Sequence, residues 1–234
     1  MKGNLNSFRP GIFIMMKYPE VGKVKSRLAE SIGVEAATDL YRTFIQDTIT
    51  TIESLEIPFH IAVDPPKSLE QFAQWLGPAY QFFQQQGANL GKRLQNGFIS
   101  MFKKEYQQVI ALASDSPDLP IEILEIAVSS LQNHKVVIGP TSDGGYYLIG
   151  FSRDCFIPSV FEAISWSTES VFQETLSRIE SVTHQVYVLP EWADIDTVSD
   201  LQKFYRTYQL QNSKTLQSLK YLRSHPEFLH ILLK

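Results

Sequence analysis

The sequence predicts an α/β fold in which a sheet carries helices on both faces, and three observations lead to this prediction. Short apolar runs of strand length alternate with longer stretches of helical periodicity along most of the 234 residues. The run at 109–113 is apolar throughout, which is typical of a strand buried on both faces. It stops abruptly at Asp115 and Asp118, so carboxylates follow a strand end. We therefore expect the chemistry of this protein at the strand ends of its sheet.

The elements follow from hydrophobic periodicity and from the turn residues between them. The first strand is predicted at 11–16, and apolar residues recur at steps of three and four over 34–55, which indicates one packed helical face. The remaining predicted strands lie at 59–63, 80–83, 109–113, 136–139, 146–150 and 185–189. The remaining predicted helices lie at 69–76, 90–102, 121–131, 171–179 and 197–208, and one or two short helices follow, broken near Pro226.

Composition narrows the class of protein. Hydrophobic residues make up 44% of the chain, and we expect a single domain over 1–234, with an N-terminal tail at 1–10 and a helical extension at 211–234. The net charge of −4 provides no basic surface for nucleic acid or for an anionic membrane. We expect no signal peptide, no membrane span and a cytoplasmic location. The single cysteine, Cys155, excludes an internal disulfide and a thiolate zinc site.

The apolar end of the extension, at 228–233, has two interpretations. Such a segment packs on its own domain, or it contributes to the contact of a homodimer. The sequence alone does not decide between these two interpretations, so a homodimer stays an alternative.

Asp115 and Asp118 also have two interpretations. In an open parallel sheet the ligand crevice lies beyond the carboxyl ends of the strands, where both residues would stand. Aspartate is equally common in turns and at helix N-caps, and Pro117 and Pro120 indicate that a strand ends and a helix begins here.

A basic loop follows the first predicted strand and leads into a helix. It contains Lys17, Gly22, Lys25 and Arg27. Because free N–H groups at a helix N-terminus attract anions and these side chains add positive charge, the loop is interpreted as a phosphate-binding segment. It lacks the glycine pattern of a P-loop or of a dinucleotide fingerprint, and a solvated basic turn is the alternative.

A glycine-rich segment joins the predicted strands at 136–139 and 146–150. Gly144 and Gly145 allow a positive φ or a close backbone approach to a ligand, and Thr141 and Asp143 add a hydroxyl and a carboxylate. Asp-Gly between two strands is also the commonest hairpin signal.

Two further carboxylates precede the last long helix. Asp194 and Asp196 are two residues apart, so on an extended chain they project to one side, as metal ligands or as an acid and a base. The alternative is that Asp196, or Thr197 with Asp200 in a capping box, begins the helix. The carboxylate oxygens of Asp115, Asp118 and Asp194, with Lys25 and Arg27 across a crevice, describe a site for Mg²⁺ and a nucleotide diphosphate.

Six motifs in one order, spread over roughly residues 11–205, carry a family resemblance. They are Lys17-x-Pro-x-x-Gly-x-Val-Lys-Ser-Arg-Leu28, Gln86-Gly-x-Asn-Leu-Gly-x-Arg-Leu94, Ser114-Asp-Ser-Pro-Asp-Leu119, Gly139-Pro-Thr-x-Asp-Gly-Gly-Tyr-Tyr-Leu-Ile-Gly150, Trp166-Ser-Thr168 and Trp192-Ala-Asp-Ile-Asp-Thr197. Together they resemble the DUF2064 family of nucleotide-diphospho-sugar transferases with the GT-A fold, some members of which are linked to arsenosugar biosynthesis. The Lys-Ser-Arg-Leu segment is also similar to phospholactate guanylyltransferases. The resemblance implies a three-layer, Rossmann-like, mostly parallel sheet whose first half binds the donor nucleotide.

The resemblance also implies roles for individual residues. The donor phosphates and nucleotide would contact Lys17, Gly22, Lys25, Arg27, Asn89 and Arg93. Asp115 would be the main ligand of Mg²⁺ or Mn²⁺, and Asp194 or Asp196 would complete the metal site or act as a base. The acceptor or sugar would face Thr141, Asp143, Gly144, Gly145, Trp166 and Thr168. Since the sequence has Asp-Ser-Pro-Asp where GT-A enzymes have Asp-x-Asp, the role of Asp118 stays open.

Three functions are compatible with these residues. In glycosyl transfer from a nucleotide-sugar to a small-molecule acceptor, a carboxylate such as Asp143 or Asp194 deprotonates the acceptor hydroxyl. In nucleotidyl transfer, a substrate phosphate attacks an NTP and pyrophosphate leaves, with no need for a base. A nucleotide-binding protein without turnover is the third possibility.

Overall fold

A seven-stranded sheet forms the centre of the computed structural model, which describes residues 8–210 and 216–233. The strand order is β3-β2-β1-β4-β6-β5-β7. The strands are β1 (Pro10–Lys17), β2 (Phe59–Asp64), β3 (Gln81–Gln84), β4 (Gln108–Ala113), β5 (Val136–Pro140), β6 (Tyr146–Ser152) and β7 (Val186–Val188). Only β6 runs antiparallel to its neighbours, β4 and β5, among these strands. The prediction of a mostly parallel sheet is confirmed.

The described helices are α1 (Ser26–Ile32), α2 (Val34–Glu53), α3 (Leu69–Leu76), α4 (Leu90–Lys103), α5 (Ile121–Ser130), α6 (Val171–Glu180), α7 (Val198–Tyr208), α8 (Gln217–Ser224) and α9 (Leu229–Leu232). Each strand and helix predicted from periodicity is present, with its ends moved by a few residues at most. The break between α1 and α2 was not predicted. It lies at Gly33, whose φ of 89° ends one helix and starts the next.

Helices cover both faces of the sheet, as expected. Along β1, Ile12, Ile14 and Met16 pack on one face, where α1, α2, α5 and α7 lie. Phe13 points to the opposite face, where it joins side chains of α4 and α6. Burial on both faces explains why the strands read as nearly continuous apolar runs.

One edge of the sheet collects the loops that carry the predicted site. The parallel strands β1, β2, β4, β5 and β7 all end there, at their carboxyl ends. Because β6 is antiparallel, it begins at this edge, so the β5–β6 turn lies there as well. The basic loop, the Asp115 loop, the glycine-rich turn and the Asp194 loop are therefore neighbours.

Part of the predicted C-terminal extension packs on the sheet domain through α8. The buried carboxylate of Asp47 on α2 accepts hydrogen bonds from the backbone N–H groups of Gln217 (2.6 Å) and Ser218 (2.9 Å), which caps α8. Of the predicted tail, only Phe8 and Arg9 precede β1 within the described chain; residues 1–7, 211–215 and 234 lie outside it. Each described helix is too short or too polar to cross a membrane.

Candidate active site

Lys25 lies at the centre of the candidate site, where it joins two acidic loops. Its Nζ is 2.5 Å from Asp115 Oδ1, 2.8 Å from Asp196 Oδ1 and 2.8 Å from the carbonyl oxygen of Ile195. Its side chain is only 3% exposed. The acidic loops follow β4 and β7, so this ion-pair cluster connects segments that are far apart in sequence.

The local backbone conformation directs the Lys25 side chain into the protein interior. It stands directly before α1 with φ 48° and ψ 45°, a left-handed conformation that is uncommon for a residue with a side chain. Its ammonium lies 5.6 Å from the ring centroids of Tyr41 and Phe44, both on α2. The Tyr41 hydroxyl pairs with Ser114 Oγ at 3.0 Å, which fixes the floor of the cluster to the end of β4.

The charges in the cluster stabilise one another. Burial alone would lower the pKa of Lys25, but the charges of Asp115 and Asp196 outweigh it and raise that pKa above its ordinary value. Burial likewise opposes ionisation of Asp196, but Lys25 and Arg27 lower its pKa. Burial, with the charge of Asp115 as the next cause, raises the pKa of Tyr41 to about 12. Lys25 is therefore a cation and Asp196 an anion at neutral pH.

Asp115 and Asp194 have oxygens that could bind a metal. Asp194 Oδ1 accepts a hydrogen bond from Ser116 Oγ at 2.7 Å, and Asp115 Oδ1 binds Lys25. Among the described residues, the second oxygen of each carboxylate has no partner. Burial first, and then the charge of Asp115, raises the pKa of Asp194 to about 7. The negative charges of Asp115 and Asp194 repel each other, and a cation bound between the two carboxylates would relieve this repulsion.

Two carboxylates suit Mg²⁺ or Mn²⁺, since Mg²⁺ takes one or two protein carboxylates and completes its shell with water and phosphate. Both oxygens of Asp196 are instead engaged in ion pairs, Oδ1 with Lys25 Nζ and Oδ2 with Arg27 Nη2 at 2.6 Å. In the described part of the chain, no group of three or more acidic, histidine or cysteine side chains is arranged to hold a metal ion. We therefore carry forward Asp115 and Asp194 as the candidate ligands with a free oxygen, while the metal role of Asp196 stays a prediction beside its ion pairs with Lys25 and Arg27.

Asp118 and Thr197 fix the loop that carries Asp194. Asp118 Oδ1 accepts a hydrogen bond from Trp192 Nε1 at 3.1 Å. The residue at the N-cap of α5 is Pro120, so Asp118 stands in the preceding turn and not at the cap. Thr197 is the N-cap of α7 and forms a capping box with Asp200, which confirms that alternative and rules out Asp196 as the cap.

A cavity of about 570 Å³ opens beside the cluster. Eight of the residues predicted from sequence line it: Arg27, Thr141, Asp143, Gly145, Trp166, Thr168, Asp194 and Asp196. Leu90, Tyr146 and Glu169, which were not predicted, line it too. This volume is in the range of small-molecule sites.

The glycine-rich turn is the β5–β6 hairpin, so the hairpin interpretation is confirmed, and the turn also lines the cavity. Asp143 Oδ1 organises it by accepting hydrogen bonds from Thr141 Oγ1 (2.5 Å) and from the N–H of Gly145 (3.1 Å). Gly144 has a φ of 87°, and a Cβ there would lie 2.1 Å from the carbonyl oxygen of Glu169. The turn therefore packs directly against the segment that carries Trp166 and Thr168.

That segment is held by its own hydrogen bonds. Thr168 Oγ1 donates to the carbonyl oxygen of Ser165 at 2.6 Å, so this hydroxyl supports the backbone. Trp166 packs against Gly91, where a Cβ would lie 2.7 Å from Trp166 Cζ2. Gly91 thus permits the ring to approach the first turn of α4 and to form one wall of the cavity.

The other predicted nucleotide residues lie along the same edge, near β2. Asn89 caps α4 by accepting from the N–H of Lys92 at 2.9 Å. Arg93 pairs with Asp64 at 3.1 Å and donates to the carbonyl oxygen of Gly87 at 3.3 Å. Lys17 is exposed at the end of β1, and exposed Gly22 has a φ of 74° that the tight turn requires.

Several residues of the site had no usable signal in the sequence. Tyr41 reads as one more apolar residue of the α2 face, and Leu90 as one of the α4 face. Ser116 stands inside Asp-Ser-Pro-Asp, where serine is an ordinary turn residue. Their roles depend on contacts between distant segments.

Comparison with solved structures gives the fold class. The chain has the nucleotide-diphospho-sugar transferase fold. It is 38% identical to a protein of Desulfovibrio desulfuricans G20 that is named as a proposed nucleotide-diphospho-sugar transferase. The two structures superpose with a TM-score of 0.89, and the match covers 95% of this chain and 97% of that one. The 4-diphosphocytidyl-2C-methyl-D-erythritol synthase of Anaerococcus prevotii DSM 20548 has the same fold, with 13% identity and a TM-score of 0.56 over 88% of this chain and 97% of that one.

The family follows from a sequence match. The chain belongs to the DUF2064 family, described as an uncharacterized protein conserved in bacteria, whose model matches residues 48–168. No curated protein sequence matches the chain.

Proposed function

We propose that this protein is a divalent-metal-dependent glycosyltransferase that moves a sugar from a nucleotide diphosphate donor to a hydroxyl of a small-molecule acceptor. The observation that carries this proposal is the 570 Å³ cavity at the carboxyl edge of the sheet, which Arg27 and Asp194 line and beside which Lys25 joins Asp115 to Asp196. The name of the D. desulfuricans relative, at 38% identity, supports the same class of donor.

The cavity favours a hydroxyl acceptor over a phosphorylated one. Arg27 is the only cationic side chain among its described lining residues, so once it binds the donor diphosphate no lining cation is left for a second phosphate. Asp143 and Glu169 also line the cavity, and both are exposed. A phosphate placed against two carboxylates would be repelled, which argues against nucleotidyl transfer to a substrate phosphate.

The proposed reaction assigns one task to each group. Arg27 binds the diphosphate of the donor, and a metal held by Asp115 and Asp194 would supply positive charge to the leaving diphosphate. Asp143 accepts the proton of the acceptor hydroxyl. The acceptor oxygen then forms its bond to the anomeric carbon, the bond from that carbon to the phosphate oxygen breaks, and its electron pair stays on the nucleoside diphosphate.

Product analysis tests this function. The protein is incubated with a panel of nucleotide-sugars and, separately, of NTPs, with and without Mg²⁺, and products are identified by mass spectrometry. We expect Mg²⁺-dependent release of a nucleoside diphosphate from a nucleotide-sugar, retained in Glu125→Gln, an exposed position on α5, and lost in Asp115→Asn. Release of pyrophosphate from an NTP would show nucleotidyl transfer instead.

A further inference from the structure

The ammonium of Lys25 has no donor left for a phosphate. A lysine ammonium carries three N–H groups. In this structure three oxygens surround Nζ within 2.8 Å, on Asp115, Ile195 and Asp196. With a side chain that is 3% exposed, Lys25 is a buried cation whose hydrogen-bonding capacity is used within the protein.

Arg27, two residues further along the chain, differs from Lys25 both in its exposure and in its free hydrogen-bond donors. Its side chain is 63% exposed and it lines the cavity. A guanidinium carries five N–H groups, and the contact with Asp196 Oδ2 engages Nη2 alone. The remaining donors are available to a ligand with paired oxygens, such as a diphosphate.

We propose that Lys25 is a positioning residue that fixes the loops of Asp115 and Asp196 and does not contact the donor phosphates, which bind Arg27. This inference rests on the proposed function, since it assigns different roles toward the donor phosphates to Lys25 and Arg27. It differs from the role that family resemblance implies for Lys25.

Energetics favour this division. If the Lys25 ammonium turned to a phosphate, Asp115 Oδ1, Asp196 Oδ1 and the Ile195 carbonyl would each lose a donor. Leaving such groups unsatisfied is costly, more so for carboxylates. The left-handed backbone of Lys25 and the rings of Tyr41 and Phe44 further restrict where its side chain can go.

NMR of lysine ammonium groups tests the inference without ligand. In the full chain labelled with ¹⁵N and ¹³C, the Lys25 ammonium should be protected from solvent exchange and should show couplings across hydrogen bonds to the carboxyl carbons of Asp115 and Asp196. Lys25→Arg identifies the signal by its loss, and Lys23→Arg, at an exposed position in the same loop, is the matched control. A rapidly exchanging Lys25 ammonium with no coupling to either carboxylate would overturn the inference.

Titration with inorganic pyrophosphate tests the division of roles. We expect the Arg27 Nε–H signal to move along a saturation curve, while the Lys25 ammonium signal stays within its linewidth. A Lys25 signal that follows the same curve, or an Arg27 signal that does not move while pyrophosphate binds, would overturn the inference. Absence of pyrophosphate binding by calorimetry would instead count against the proposed function, and the ligand-free couplings would still decide whether Lys25 is a positioning residue.

Kinetics provide a second readout. On the donor found by product analysis, Lys25→Met should lower kcat ~100-fold with donor KM changed by less than about threefold, since loop geometry is lost and phosphate contact is kept. Arg27→Met should raise donor KM by about tenfold. If Lys25→Met does not fold, Lys25→Arg is measured in its place. A rise in donor KM of tenfold or more in the Lys25 variant, with kcat unchanged, would assign Lys25 to the phosphates.

Discussion

The two sides of the candidate site are held together in different ways. The ion-paired side consists of Lys25, Arg27, Asp115 and Asp196, whose contacts join distant segments and, where they involve Asp196, span 169 to 171 residues. The hairpin side consists of residues 141–145 and 166–169, where hydrogen bonds such as that from Thr141 to Asp143 span two residues. Interactions between charges therefore determine the geometry of the ion-paired side, whereas local backbone conformation determines the geometry of the hairpin side. Changes of charge and changes of side-chain volume should affect the two sides unequally.

The largest effect is expected for Asp115→Asn on the ion-paired side. The amide cannot neutralise Lys25 and is a poor metal ligand, so kcat should fall about 1,000-fold, or about 4 kcal/mol of transition-state stabilisation. Steady-state kinetics on the identified donor provide the measurement, and Glu125→Gln is the control. Activity within threefold of the unchanged protein would remove Asp115 from the reaction.

Gly144→Ala should have the next largest effect, on the hairpin side. An alanine there adopts an unfavourable φ of 87° and its Cβ meets the Glu169 carbonyl oxygen, which together should cost roughly 3 kcal/mol. For a chain of this size the melting temperature should fall by roughly 6 to 12 °C. Gly22→Ala is the matched control, because Gly22 has a φ of 74° but a Cβ added there would meet no atom within 4 Å. Equal losses in the two variants would show that the contact with Glu169 is unimportant.

The contrast between the two sides also explains what could be predicted from the sequence. The hairpin at 141–145 and the capping box of Thr197 and Asp200 depend on residues within three or four positions, and both were among the alternatives that the sequence offered. The strands and helices followed from periodicity for the same reason.

Contacts between distant segments could not be predicted from sequence patterns. The family resemblance implied that Lys25 and Asp196 serve the same site, but not that three protein oxygens surround the Lys25 ammonium. The pairing of Asp118 with Trp192 spans 74 residues and likewise has no local signal. Such contacts follow from the order of strands in the sheet, which the periodicity of single elements does not determine.

Asp143→Asn tests the chemistry of the hairpin side with little change to its fold. The amide oxygen can still accept the hydrogen bonds from Thr141 and Gly145, but the side chain can no longer take a proton. We expect kcat to fall about 100-fold while the melting temperature and donor affinity stay unchanged.

Donor binding is measured by calorimetry and turnover by product release, with the exposed Ser142→Ala as control. A full loss of donor binding in Asp143→Asn would place Asp143 on the donor side. Unchanged kcat would remove Asp143 as the base and leave Asp194, the other carboxylate that the sequence offered for this role.

Arg27→Met should have the smallest of these effects, and it shows how far charge governs the ion-paired side. Removal of an exposed guanidinium should weaken pyrophosphate binding about tenfold, as expected for loss of a charge-assisted contact. The salt dependence of binding should decrease as well, because a solvent-screened charge has been removed. Lys23→Met removes an equal charge from an exposed position in the same loop and should change affinity by less than about threefold. Equal weakening in both variants would mean that the overall positive charge of the loop, and not the position of Arg27 at the cavity wall, attracts the diphosphate.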